Sequence, residues 1–130
     1  MARPIILIVD DTPDHCELLR RLLQVAGYQV VVAATGSEAI AQAQQTPPDL
    51  ILAALSLPGQ PAWEAARQLR SVSGLETTPM LGTTVFTTLL TGPRVRAIGC
   101  ADFVEKPFDF DTLLYRIGQL MPRHLQYEPV

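Results

Sequence analysis

Four short groups of residues stand at or near the ends of apolar runs in this chain. Asp10 and Asp11 follow Ile5-Ile6-Leu7-Ile8-Val9, and Ala54-Leu55-Ser56 ends a run that opens at Leu50. Thr83 and Thr84 lie in a stretch that begins at Met80, and Lys106 follows a short run from Ala101. Two adjacent carboxylates repel a phosphate unless a cation intervenes, and no glycine-rich loop follows the first run, so a nucleotide-binding dinucleotide fold is set aside. Cys16 and Cys100 stand in no metal or redox spacing and read as reduced, buried small residues. Taken singly, each group has an ordinary role. Asp10-Asp11 can end a strand and cap a helix, Lys106 can be a surface lysine, Thr83 and Thr84 can be satisfied strand hydroxyls, and Phe103 can be core. Only their joint arrangement carries chemistry, and that depends on the elements that hold them.

Those elements alternate. Residues 5–9 are a β-branched apolar run ended by acid, the mark of a strand buried on both faces. From Pro13, the residues His15, Leu18, Leu19, Leu22, Val25 and Ala26 recur at helical spacing, with Thr12 as N-cap and Gly27 as terminator. A second strand is expected over residues 28–33, then a helix from Gly36-Ser37 that stops at Pro47-Pro48. A third strand over 50–55 leads through the turn Leu57-Pro58-Gly59 to a helix carrying Trp63, Ala66, Leu69 and Arg70. A fourth strand over 80–86 is followed by a loop and a short fourth helix from Pro93 to Gly99. A fifth strand over 101–105 precedes a last helix capped by Asp109, with Phe110, Leu113, Leu114, Ile117 and Leu120 inward and Asp111, Thr112, Tyr115, Arg116 and Gln119 outward.

Five strands joined by helical crossovers must run parallel, which predicts a doubly wound α/β sheet of flavodoxin-like order 2-1-3-4-5 with helices on both faces. One domain is expected over residues 1–121, with 122–130 as a tail. Ligands of such sheets sit at the carboxyl ends of the strands, where strand order reverses, so all four polar groups should converge there.

With Val9-Asp10-Asp11, Pro48-Asp49-Leu50-Ile51-Leu52, Leu57-Pro58-Gly59, residues 79–84 and Lys106-Pro107-Phe108 in this order and at these intervals, the chain resembles the receiver domains of two-component response regulators (CheY-like) from Ile5 to about Met121. The resemblance implies that Asp10, Asp11 and Ser56 hold a Mg²⁺, that Thr84 and Lys106 bind phosphoryl oxygens, and that Phe103 is the switch aromatic. It also places Ala54 where the attacking aspartate belongs. A methyl group has no lone pair and forms no acyl phosphate. Val85 after the switch threonine and Gln60-Pro61-Ala62 after the third strand are further departures from the family pattern. With one carboxylate fewer, Mg²⁺ binding should be weak or lost, and no other cofactor is expected. Lys106, lacking its phosphoryl partner, should turn toward Asp10 or Asp11.

The expected function is therefore that of a pseudo-receiver in phosphorelay signalling, a non-enzymatic interaction module. Two alternatives are a laboratory substitution at Ala54 of an ordinary phosphoaccepting receiver, and residual Mg²⁺-dependent phosphorylation on Asp10 or Asp11. The expected partner is a histidine kinase, another signalling protein or an output domain of a longer chain. Contact, including homodimer formation, is expected through the fourth helix, fifth strand and fifth helix, with Leu89, Leu90, Tyr115 and Arg116 on that face. The 130 residues carry a formal charge of −3, which gives no general attraction to nucleic acid or an anionic membrane. The first apolar run is too short for a signal peptide or a span, so a cytoplasmic location is expected.

Overall fold

The computed structural model describes residues 3–55, 61–84, 100–105 and 109–122. Five strands, β1 (Ile5–Val9), β2 (Gln29–Ala33), β3 (Leu50–Ala54), β4 (Met80–Thr84) and β5 (Asp102–Glu105), form one parallel sheet in the order β2-β1-β3-β4-β5. Four helices are seen among the described residues: α1 (Pro13–Val25), α2 (Gly36–Gln45), α3 (Pro61–Arg70) and α4 (Phe110–Leu120). The helix expected from Pro93 to Gly99 lies outside the described residues.

The apolar runs of β1 and β3 are continuous because both faces of the sheet are covered. Leu7, Val9, Ile51 and Ala53 point to one face and pack against Ala39 and Ala43 of α2 and Ala65, Ala66 and Leu69 of α3. Ile6, Ile8, Leu50, Leu52 and Leu81 point to the other and meet Cys16, Leu19 and Leu23 of α1 and Leu113 and Ile117 of α4. Each fully buried aliphatic side chain in these layers contributes roughly 1.5–3 kcal/mol. On the first face the small residues matter: a Cβ at Gly36 would stand 3.3 Å from the Ala65 methyl, so α2 and α3 approach closely. In β4, a Cβ at Gly82 would collide with Leu55 and crowd the Cys100 sulfur at 3.3 Å, so glycine is what lets Leu55 lie over the strand.

The helix ends follow local chemistry. The Thr35 hydroxyl accepts the Glu38 N–H at 3.2 Å while the Glu38 carboxylate accepts the Ala34 N–H at 2.7 Å, a reciprocal cap. Asp109 caps α4 as expected, accepting the Thr112 N–H at 2.7 Å and the Thr112 hydroxyl at 2.9 Å. Gly27 ends α1 at φ +103°, a conformation glycine adopts without strain. Thr12 stands at the N-cap of α1, but its side chain makes no capping bond.

Two expectations need correction. The inward stripe of α1 is Cys16, Leu19 and Leu23, whereas Leu18 and Val25 are exposed. Six apolar residues in a 13-residue helix permit two overlapping stripes, and the one on the sheet side uses Cys16 and Leu23, neither of which belongs to the expected series. On α4, Arg116 does not face freely outward. It is half-buried and pairs with Asp102 of β5, because the guanidinium reaches back across the edge of the sheet.

Candidate functional site

The carboxyl edge of the sheet assembles the polar residues. Asp10 leaves β1 with its N–H on the Ala33 carbonyl (3.1 Å), at the point where β2 and β3 flank β1 on opposite sides. Its side chain is buried, 5 % exposed, and its oxygens are engaged: Oδ1 accepts the Thr12 N–H at 2.9 Å and Oδ2 lies 2.7 Å from His15 Nδ1. The Cys16 thiol donates to the Asp10 carbonyl at 3.1 Å. A buried carboxylate needs such partners, because removing its charge from water uncompensated is costly. Asp11, one residue on, is exposed.

Ala54 ends β3, half-buried, in register with Thr83 of β4. Val9 pairs with Ala53 one residue earlier, so Asp10 and Ala54 leave neighbouring strands at the same level. Thr83 and Thr84 are both buried, and Thr84 lies in register with Glu105 of β5. Phe103, half-buried, packs against the core layer beneath α2 and α3. Two hollows flank the acidic pair. One, of about 200 Å³, includes Val9, Asp10, Asp11, Gly36 and Ala65 in its wall, and the other, of about 310 Å³, includes Asp10, Asp11, Pro13, Cys16 and Arg20.

The structure thus brings Asp10, Asp11, Ala54 and Thr84 to one edge. Ser56, Lys106, Leu89 and Leu90 lie outside the described residues, as does the expected approach of Lys106 to the acidic pair. Phe103 is on β5 and Tyr115 is exposed on α4, while Arg116 turns to Asp102. His15 was missed as a site residue. Its signal lies in the spacing, since five residues after a strand-ending aspartate is one helical turn into α1, but the same position also fits an apolar stripe. Near the second hollow, Arg20 and Arg21 hold the Glu17 carboxyl well below the usual range, at about 2. Burial pushes the Cys100 thiol up to about 12, which favours the neutral thiol over the thiolate.

A parallel 2-1-3-4-5 sheet bearing an acidic pair and a buried threonine pair at its carboxyl edge, with an aromatic on β5, is the architecture of a receiver. The chain matches the model of the response regulator receiver domain over residues 6–118 and belongs to that family. It is similar to protein PilH of Pseudomonas aeruginosa, 35 % identical over 124 residues, covering 93 % of this chain and 98 % of that one. It is 34 % identical over 122 residues to the transcriptional regulatory protein KdpE of Mycobacterium tuberculosis, covering 92 % of this chain but 52 % of KdpE, so it spans about half the length of that relative. Among solved structures, the chemotaxis response regulator CheY4 of Vibrio cholerae superposes with a TM-score of 0.82 at 31 % identity, over 92 % of this chain and 100 % of that one. No helix among the described residues is long and apolar enough to cross a membrane.

Proposed function

We propose that this receiver domain signals by protein contact alone, without an acyl phosphate at the usual position. The observation that carries the reading is Ala54, which ends β3 level with the exit of Asp10 from β1, in the crevice where the family's chemistry is implied to take place. Attack on phosphorus needs an oxygen lone pair there, and the methyl supplies none. A receiver-type Mg²⁺ does not fit the described donor set well. Ala54 offers no oxygen, Asp10 already engages an N–H and an imidazole, and among the described residues no three Asp, Glu, His or Cys side chains gather as a metal cluster. Phosphorylation of Asp10 is disfavoured by the same contacts. The domain acts as a binding module for a histidine kinase, another signalling protein or an output domain, and not as an enzyme or a nucleic-acid reader. A hollow of about 440 Å³ between β5 and α4, with Phe103, Glu105, Thr112 and Arg116 in its wall, supports contact on that side.

The test is treatment with acetyl phosphate and Mg²⁺ followed by intact-mass measurement, on the chain as it stands and on Ala54→Asp. The unsubstituted chain should gain no mass. One phosphoryl group mapped to any aspartate would overturn the reading. Gain by Ala54→Asp would show that the substituted position alone silences an otherwise competent pocket. No gain by that variant would show that Val85 and the other departures have disabled the pocket as well.

A further inference from the structure

The two edges of the sheet are finished differently. β5 is four residues long, opens on Asp102 and closes on exposed Glu105, the short and charged kind of edge that resists pairing with another strand. β2 has none of these guards. Its five residues, Gln-Val-Val-Val-Ala, include no charge, proline or glycine, they pair with β1 without a bulge, and Val30, Val31 and Val32 are only half-buried. Hydrogen-bond direction shows what this edge offers. The Gln29 N–H donates to the Pro4 carbonyl at 2.9 Å and the Ala33 carbonyl accepts the Asp10 N–H at 3.1 Å, so Gln29, Val31 and Ala33 turn their main-chain groups toward β1. By the alternation of a parallel ladder, Val30 and Val32 turn theirs away from the sheet. Among the described residues no strand lies beyond β2 to receive them.

A hollow on the same side supplies an independent observation. The cavity of about 310 Å³ has Val32 in its wall together with Pro13, Cys16, Glu17 and Arg20 of α1. Val32 packs on the α1 face of the sheet. In an antiparallel pair, side chains directly opposite each other share one face. A strand laid along β2 would therefore set the side chain opposite Val32 at the mouth of this hollow, where Val32, Pro13 and Cys16 suit an apolar residue.

We propose that β2 pairs antiparallel with β2 of a second copy, about a two-fold axis through Val31, so that the two sheets become one. A two-fold contact requires one surface that carries both halves of the match. β2 carries them. With Val31 on the axis, Val30 stands opposite Val32 of the other copy, and each such pair exchanges both N–H···O bonds, so the outward main-chain groups at both positions gain partners. The same register lays Val30 of one copy beside Val32 of the other, at the hollow under α1. No charged side chain of the strand meets its own copy. Pairing β2 with β5 instead would set it against Asp102 and Glu105, and as a head-to-tail contact it would not close. The homodimer is thereby placed on the β2 edge, and it stands or falls independently of what Ala54 does.

Sedimentation equilibrium of the chain over a concentration series, with amide exchange on the same samples, tests it. A monomer–dimer equilibrium is expected, in which the Val30 and Val32 amides, turned outward in the monomer, gain protection as the concentration rises. Val30→Pro removes an outward N–H at an edge position that tolerates proline, and by symmetry it removes that bond from both halves of the contact. Association should weaken by about tenfold or more, with the thermal unfolding transition retained. Val31→Lys and Val31→Glu each set like charges against one another on the axis and should abolish the dimer, whereas mixing the two variants should restore it. If a variant at position 31 fails to fold, Val30→Pro and the exchange pattern of the unsubstituted chain remain decisive. A chain that sediments as a monomer up to about 10⁻⁴ M, a dimer indifferent to Val30→Pro, or protection that rises elsewhere and not at Val30 and Val32 would overturn the proposal. So would a mixture of the two folded position-31 variants that stays monomeric, or an edge that pairs only with a foreign strand.

Discussion

Asp10 and His15 form the contact on which the candidate site now turns. The carboxylate is buried, and the imidazole at 2.7 Å is one of the groups that compensate its desolvation. His15→Leu should therefore destabilise the domain by about 1–3 kcal/mol in urea unfolding, the cost of leaving a buried polar group short of a partner. Asp10→Asn in the same background should reduce that cost, since the neutral amide needs less compensation. A His15→Leu variant as stable as the parent would mean that other neighbours of Asp10 suffice. Gly82 makes an opposite kind of demand, for space. Gly82→Ala should cost about 1–3 kcal/mol, because the added methyl drives into Leu55 within a packed layer. That Asp10, Asp11 and Ala54 share one sheet edge was legible in the sequence, because those residues end apolar runs, while the significance of Ala54 came only from the resemblance to receivers. His15 was not, since a histidine at helical spacing looks the same whether it packs or hydrogen-bonds. Gly82 was equally silent, because a close approach between strands that are distant in sequence leaves no local mark.

Among the elements, α4 shows how a cap ties stability to pH. The Thr112 N–H and hydroxyl both bond the ionised Asp109, which lowers its carboxyl below the usual 3.8. A carboxyl depressed in the folded state adds stability above its unfolded value and loses it as pH falls through the folded one. Asp109→Ala should thus lower Tm at pH 7, and the gap between variant and parent should close as pH drops below about 3.8. A gap unchanged down to pH 2 would show that the cap acts through backbone geometry and not through charge. This cap was readable in advance, since an aspartate ahead of an apolar-periodic run is a local signal. The facing of α1 was not. Its sequence carries apolar residues on two flanks, and only the position of the sheet decides that Cys16, Leu19 and Leu23 go in while Leu18 and Val25 stay out. Arg70, too, acts at this level. Its guanidinium donates to the carbonyls of Leu75 and Thr78, each at 2.8 Å, holding the link from α3 to β4, a role invisible in an apparently ordinary helix-end arginine.

For the molecule as a whole, sheet order ranks the strands by stability. The order 2-1-3-4-5 was legible because strand and helix patterns alternate with crossovers too long for hairpins, which leaves few topologies open. It puts β1 and β3 at the centre, where both backbone edges are paired and nearly every side chain is buried, and leaves β2 and β5 as edges with exposed Gln29 and Glu105. Local opening follows the least buried elements, so amide exchange should separate the strands. The N–H groups of Leu7, Ile8, Ile51 and Leu52 should exchange only through global unfolding, with a free energy equal to that from denaturant titration. Those of β5 should exchange through smaller openings, since Asp102 and Phe103 are only partly covered and the strand is four residues long. Uniform exchange across all five strands would mean that the sheet opens as a single unit and that its edges are held as firmly as its centre.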